Sequence, residues 1–294
     1  MARVPAPRRD ADFCDPPPMS DFDGSPEFNK LLAGQCQIDL VQFMLELAAD
    51  AYPDLDRVGC LMEIDRLGVA CGDQSCSRGD ERQRLMAISQ CLYGVEGFHG
   101  NREAYYEPQN SYLNEVLTRR CGLPISLGIL YMAVAARTGL KMFGVNTPGH
   151  FMVGCCRGGD AIYVDPFTNG DVLDRAGCKD RVESTVGQQG CVADEHFRAA
   201  APIEIVARVL RNLKAAHSME DRWPAVLRIQ QRLAALLPHI PQERRDLGLV
   251  HLRLGQPHEA LNVLEKYLTV CGKDQAVALA PSIQAARRMA AELN

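Results

Sequence analysis

The stretch NSYLNEVLTRRCGLPISLGILYMAVAARTGL, residues 110–140, decides the fold. It opens on a short helical segment, SYLNEVLTRR, that ends in Arg119 and Arg120. Two cations there complement the negative end of a helix and read as exposed, with an acidic ligand as a second use for them. Cys121-Gly122-Leu123 breaks that segment, and a strongly apolar helix starts near Pro124, a residue suited to a first turn. The run from Gly122 to Leu140 approaches the length of a membrane span. Arg137 lies inside it and a proline opens it, so it reads as a helix buried in a core.

Beyond Gly139 the hydrophobic period changes to that of strands. LKMFGVNT (140–147) reads as one strand, and GHFMVGCC and AIYVDPF as a hairpin around RGGD (157–160). With Arg157–Asp160 as the turn, Cys156 faces Ala161, His150 faces Phe167 and Asp165 faces Met152. Asp165 is then diagonal to His150 on one face, at about 7–8 Å between backbones. A carboxylate so placed can orient an imidazole as in a hydrolase triad. The same two residues also make sense as a buried, satisfied polar pair, and Asp165-Pro166 as a strand-end turn.

Upstream lies GFHGNREAYYEPQNS (97–111), a long loop rich in glycine and asparagine. Loops of that length in a compact region tend to be functional. Tyr105, Tyr106, Asn110, Tyr112 and Asn114 are candidates for lining a cleft mouth, and turn formation and helix capping are their plainer uses. Before the loop the pattern is helical: FNKLLAG (28–34), Ile38 to Tyr52 with Pro53 as stop, 56–68 and 80–93, the last two separated by a loop at 71–79. Residues 168–200 show no clear period. From Pro202 onward everything reads as helix. Ala225, Val226, Ile229 and Leu233 recur 35 residues later as Ala260, Leu261, Leu264 and Leu268. Such a period indicates stacked helix pairs, with a last helix from Pro281 as cap.

Composition narrows the function classes. The chain has 294 residues, 47% apolar and 23% charged, with a net charge of −5. No basic face or DNA-binding motif is visible, so nucleic acid and anionic membranes are not expected partners. Twelve cysteines are scattered without a CxxC pair, and the Cys71–Cys76 spacing has no matching second pair. Free thiols in a reducing compartment are the reading, with no metal or cofactor expected. Residues 1–24 carry arginine and proline but no apolar run. They are read as a disordered tail rather than a secretory signal, and the location as cytoplasmic.

A His–carboxylate pair needs a nucleophile. Papain-type chemistry places a cysteine at the start of a buried helix, where the dipole lowers its pKa and N–H groups hold an oxyanion. Here the corresponding turn reads Gly122-Leu123-Pro124-Ile125-Ser126. The quoted helix pair, GFHGN, YYEPQNSYLN, GLPISL, PGHF and VDPF, with RDLGLVHLRLG and ALNVLEKYL near the end, resembles the bacterial SirB-type family. That family joins a transglutaminase-like core to tetratricopeptide repeats, and a eukaryotic F-box protein carries a related core. The resemblance spans roughly residues 27–293. It implies an α+β fold: a transglutaminase-like (papain-like) core with a helical N-terminal segment, then all-α tetratricopeptide-like helices. The expected divisions are 25–200 (helical 25–95, core 96–200) and 201–294.

In the wider superfamily a Gly-x-Cys motif opens the helix, a His follows on one strand and an Asp on the next. His150 and Asp165 match the latter two, and Gly122 matches the glycine. The cysteine position is then occupied by Pro124, which has no nucleophile. Two others are near: Cys121, three residues before Pro124, and Ser126, two residues after it and about 200° around the helix. The expectation is a non-catalytic protein- or peptide-binding scaffold on a degenerate cleft, with any regulatory role indirect. The alternative is an amide-bond hydrolase or acyltransferase using Cys121 or Ser126 with His150 as base and Asp165 as orienter.

Overall fold

The computed structural model describes residues 22–74, 80–157, 160–190 and 192–293. The expected N-terminal tail, most of the loop at 71–79 and the centre of the RGGD turn lie outside them. The chain divides into two compact units. One is Gly24–Val226. The other, among the described residues, is 227–293 with Phe22 and Asp23.

The first unit begins with helices. α1 (Pro26–Leu32) is followed by α2 (Leu40–Ala51), whose N-cap Asp39 accepts the Val41 and Gln42 N–H groups. α3 (Arg57–Gln74) runs longer than expected and takes in residues 71–74, which the sequence placed in a loop. α4 (Glu81–Ser89) does not continue as an α-helix to residue 93. It passes into a π-helical turn over Gln90–Val95. Then come β1 (His99–Gly100), α5 (Leu113–Arg119), β2 (Cys121–Gly122) and α6 (Pro124–Arg137). β1 and β2 form a short parallel pair, His99 with Cys121 and Gly100 with Gly122.

α6 is the axis of this unit. Eleven of its residues are buried, which is why its sequence is apolar on every face. The four-stranded antiparallel sheet orders as β3 (Phe143–Thr147), β4 (His150–Arg157), β5 (Asp160–Asp165) and β6 (Asp171–Leu173). Cys156 pairs with Ala161 and Val153 with Val164, the register anticipated from the turn. One face meets α6, where Gly128 makes room for the Phe151 ring. The other face contributes Val145, Met152 and Tyr163 to a core with Cys178 and Val182 of α7 (Arg175–Val186) and with Phe197. β6 and α7 occupy the stretch that carried no readable period. α8 (Pro202–Met219) also belongs to this unit, and its His217 Nε2 meets the Tyr112 hydroxyl at 2.8 Å.

α9 (Trp223–Leu236) continues into the second unit, which holds α10 (Pro241–Arg253), α11 (Pro257–Leu268) and α12 (Lys273–Glu292). The repeat positions Leu233, Ala260 and Leu264 are fully buried. Gly248 allows α10 and α11 to approach: a Cβ there would lie 2.5 Å from Leu264 Cδ2. The last helix does not start at Pro281. It starts at Lys273 and runs through that proline, which sits on the exposed face, where the carbonyl it leaves without a helical bond can be hydrated. Among the described residues no helix is long and apolar enough to cross a membrane.

Candidate functional site

His150 and Asp165 meet because the hairpin register puts them side by side at one end of the sheet. His150 opens β4 and pairs with Thr147, whose hydroxyl donates to the His150 carbonyl at 2.9 Å. Asp165 closes β5. Its Oδ1 lies 2.9 Å from His150 Nε2 and also accepts the Phe167 and Thr168 N–H groups at 3.0 and 3.3 Å. Its Oδ2 accepts from Arg181 of α7 at 2.8 Å, and Arg181 reaches Asp171 with its other nitrogen at 2.8 Å. Both members of the pair are buried.

Burial by itself raises a carboxyl pKa. Here the bond and charge of His150, the Phe167 N–H and the Arg181 charge outweigh it and hold Asp165 at about 2. An ionised Asp165 accepts the proton on Nε2, which leaves Nδ1 as the ring nitrogen outside the pair. Nδ1 has no hydrogen-bond partner among the described residues. The pair can therefore accept a proton or a hydrogen bond from a ligand.

Aromatic residues extend from it. Phe167 is edge-on to the His150 ring at 6.4 Å, Tyr105 to Phe167 at 5.9 Å, and the exposed Tyr106 to Tyr105 at 5.2 Å. The Arg102 guanidinium lies over Phe167 at 5.3 Å. Asn110 is fully buried and does not face a cleft. Its amide ties the loop together, donating to the Ala104 and Tyr105 carbonyls at 2.6 and 3.2 Å and accepting from Asn101 at 3.0 Å. Tyr112 is buried as well. Asn114 lines a different hollow of about 730 Å³, with Tyr52, Cys60, Leu117 and Arg120, that includes neither His150 nor Asp165. Arg119 and Arg120 are half-buried rather than free at a helix end. Arg119 pairs with Glu107 at 2.6 Å. Arg120, in the left-handed region (φ 58°), pairs with Glu63 at 2.5 Å and covers the Phe98 ring at 4.7 Å.

At the start of α6, Pro124 is the first helical residue and is buried. Ser126 is also buried, and its hydroxyl is fully engaged: Oγ donates to the Asn110 carbonyl at 2.6 Å and accepts the Leu123 N–H at 3.0 Å. Cys121 is buried in the β1–β2 pair, and burial pushes its thiol pKa up. Among the described residues no hydrogen bond joins any residue of α6 to His150. No group of three or more metal-type ligands occurs there either. Sequence reasoning did not single out Arg181, Phe167, Arg102 or Arg208 (described below). The arginines carry no local pattern that separates them from solvated charges, whereas Phe167 stood in plain sight in the VDPF segment.

The helix carrying Gly122 and Pro124 at its start, the sheet behind it and the His–Asp pair define a transglutaminase-like domain. Residues 59–211 match the transglutaminase-like superfamily, and residues 213–293 match the tetratricopeptide repeat. A UPF0162 protein of Xylella fastidiosa (strain Temecula1) is 36% identical over 242 residues, covering 79% of this chain and 83% of its own. The chain belongs to this UPF0162 family of transglutaminase-like, repeat-bearing proteins. A UPF0162 protein of Vibrio cholerae is 27% identical over 243 residues, covering 82% of this chain and 90% of its own. F-box only protein 21 of Mus musculus is 40% identical over 107 residues, 34% of this chain and 17% of its own. No solved structure matches.

Proposed function

We propose that this chain is a non-catalytic scaffold that binds a protein or peptide segment at a degenerate transglutaminase-like cleft, with its helical repeats offering a second binding surface. The observation that carries the reading is the chemistry at the start of α6. Pro124 stands at the nucleophile position, and both neighbours that carry a nucleophilic atom are otherwise engaged. Ser126 spends its hydroxyl on backbone groups. Cys121 is a buried thiol with a raised pKa, and thiolate chemistry needs the opposite. The His150–Asp165 pair remains able to hold a ligand through Nδ1. Tetratricopeptide repeats generally mediate protein interactions, which suits a scaffold. A regulatory role would follow indirectly from what is bound.

The test is Pro124→Cys. If only the nucleophile has been lost, the installed thiol gains from the helix start and from His150. Its alkylation by iodoacetamide at pH 6 should then outpace that of the exposed Cys36 by about tenfold or more, and His150→Gln should reduce the gain to what the helix start alone provides. A thiol no faster than Cys36 would show that this cleft does not have transglutaminase-type geometry. The intact His150–Asp165 bond favours a second reading, an amide-bond hydrolase or acyltransferase using Cys121 or Ser126, and acylation of the native protein separates the two.

A further inference from the structure

Arg208 of α8 has no counter-ion bonded to it among the described residues. Its Nη1 donates to the Thr147 carbonyl at 2.8 Å and to the Asn146 side-chain oxygen, both neutral acceptors. No carboxylate bonds to it among the described residues, and the ionisable group that acts on it is Tyr105. The surrounding protein is dense enough that burial depresses its pKa, opposite to the Arg66, Arg181 and Arg198 side chains, which carboxylates raise. A guanidinium does not give up its proton, so the charge stays, on a half-buried side chain bonded to neutral acceptors.

Its position connects it to the His–Asp pair. Thr147, whose carbonyl it holds, is the pairing partner of His150 across the β3–β4 turn. Tyr105, on which its charge acts, meets Phe167 edge-on, and Phe167 meets His150. With Nη1 committed to the turn, Nε–H and Nη2 have no partner among the described residues. Two N–H groups on one edge of a guanidinium match the two oxygens of a carboxylate. A second cation, Arg102, lies over Phe167, and among the described residues its one side-chain bond is a 3.5 Å contact to Thr168.

We infer that Arg208 is the anchor for a carboxylate, and that the segment bound beside His150 is an acidic peptide. The inference rests on the cleft reading above and names the chemistry of its ligand. A guanidinium fork presenting two N–H groups on one edge suits a planar carboxylate. The carboxylate comes either from an Asp or Glu side chain or from a chain end.

The experiment uses the full chain labelled with ¹⁵N and follows the arginine Nε–H resonances, Arg208 being assigned by its loss in Arg208→Lys. Four probes are titrated: N-acetyl-glutamate α-amide, N-acetyl-alanine, N-acetyl-glutamine amide and inorganic phosphate. The expected result is a saturable shift at Arg208 with a carboxylate probe, about tenfold tighter than with the neutral glutamine analogue. The tighter of the two carboxylates identifies side chain or chain end as the source. No shift, an equal response to the amide, or tighter binding of phosphate would overturn the inference. If Arg208→Lys does not fold, calorimetry of the acid against the amide on the wild type makes the same comparison. Peptide capture that needs His150 but shows no preference for acid would overturn this inference and leave the cleft reading standing. A carboxylate response at Arg208 alongside capture indifferent to His150 would support this inference and overturn the cleft reading.

Discussion

Asp165→Ala is expected to lower the stability of the first unit by about 3–5 kcal/mol, the cost of leaving buried polar groups without their acceptor. Four donors converge on that carboxylate: His150, Arg181 and the Phe167 and Thr168 N–H groups. The substitution leaves His150 Nε2 and the Phe167 N–H without an acceptor at the end of a sheet where Asp165 is fully buried, while Arg181 keeps Asp171 and the Thr168 N–H keeps the Asp165 carbonyl. The same residue sets an acid limb. Its folded pKa, about 2, lies below its ordinary value of 3.8. Its contribution is therefore fully present above pH 3.8 and lost as pH falls through 2, a change of about 2 kcal/mol. Urea unfolding of wild type and Asp165→Ala at pH 5 and pH 2 reads both effects, because the gap between them should narrow at the lower pH. A gap that is small at pH 5, or that does not change with pH, contradicts this account of the pair.

Gly100→Ala is expected to be the most damaging of the small substitutions near the site. A Cβ at Gly100 would sit 2.5 Å from the Phe167 carbonyl oxygen and 2.5 Å from its ring. The ring could swing away, but the carbonyl belongs to the turn fastened by Asp165. Either the β1–β2 pair or the Asp165 turn must therefore shift, at about 1–3 kcal/mol for overpacking of this kind. Since Phe167 stands between Tyr105 and His150, ligand binding should weaken together with stability. The check is thermal unfolding beside capture of the bound segment. A variant that keeps wild-type stability and binding would remove Phe167 from the site.

What could be read from the sequence follows from where periodicity is strong. The apolar run of α6 has no polar face, and the β4–β5 hairpin alternates around a short turn, so helix, strands and register were all legible. The approach of His150 to Asp165 follows from that register alone. The stretch 168–200 was opaque because β6 is three residues long and α7 shows no apolar stripe, only Cys178 and Val182 turned inward. The π-helical turn after Ser89 has no local code. Asn110 looked like a cleft residue because polar residues in a loop usually face water. Here the loop folds around the amide instead. Arg181 and Arg208 were invisible as site residues, since an arginine on a helix reads the same whether it faces solvent or a buried carboxylate. Only the tertiary structure distinguishes the paired one from the unpaired one.

The central claim, binding without catalysis, is tested most directly by acylation of the native protein. Wild type and His150→Gln are incubated with p-nitrophenyl acetate, and adducts are located by peptide mass mapping. The account predicts the same adducts in both, on accessible nucleophiles such as the Cys36 thiol and lysine amines, and none on Cys121 or Ser126. An adduct at Cys121 or Ser126 that forms in the wild type and disappears with His150→Gln would contradict it and make this chain an enzyme.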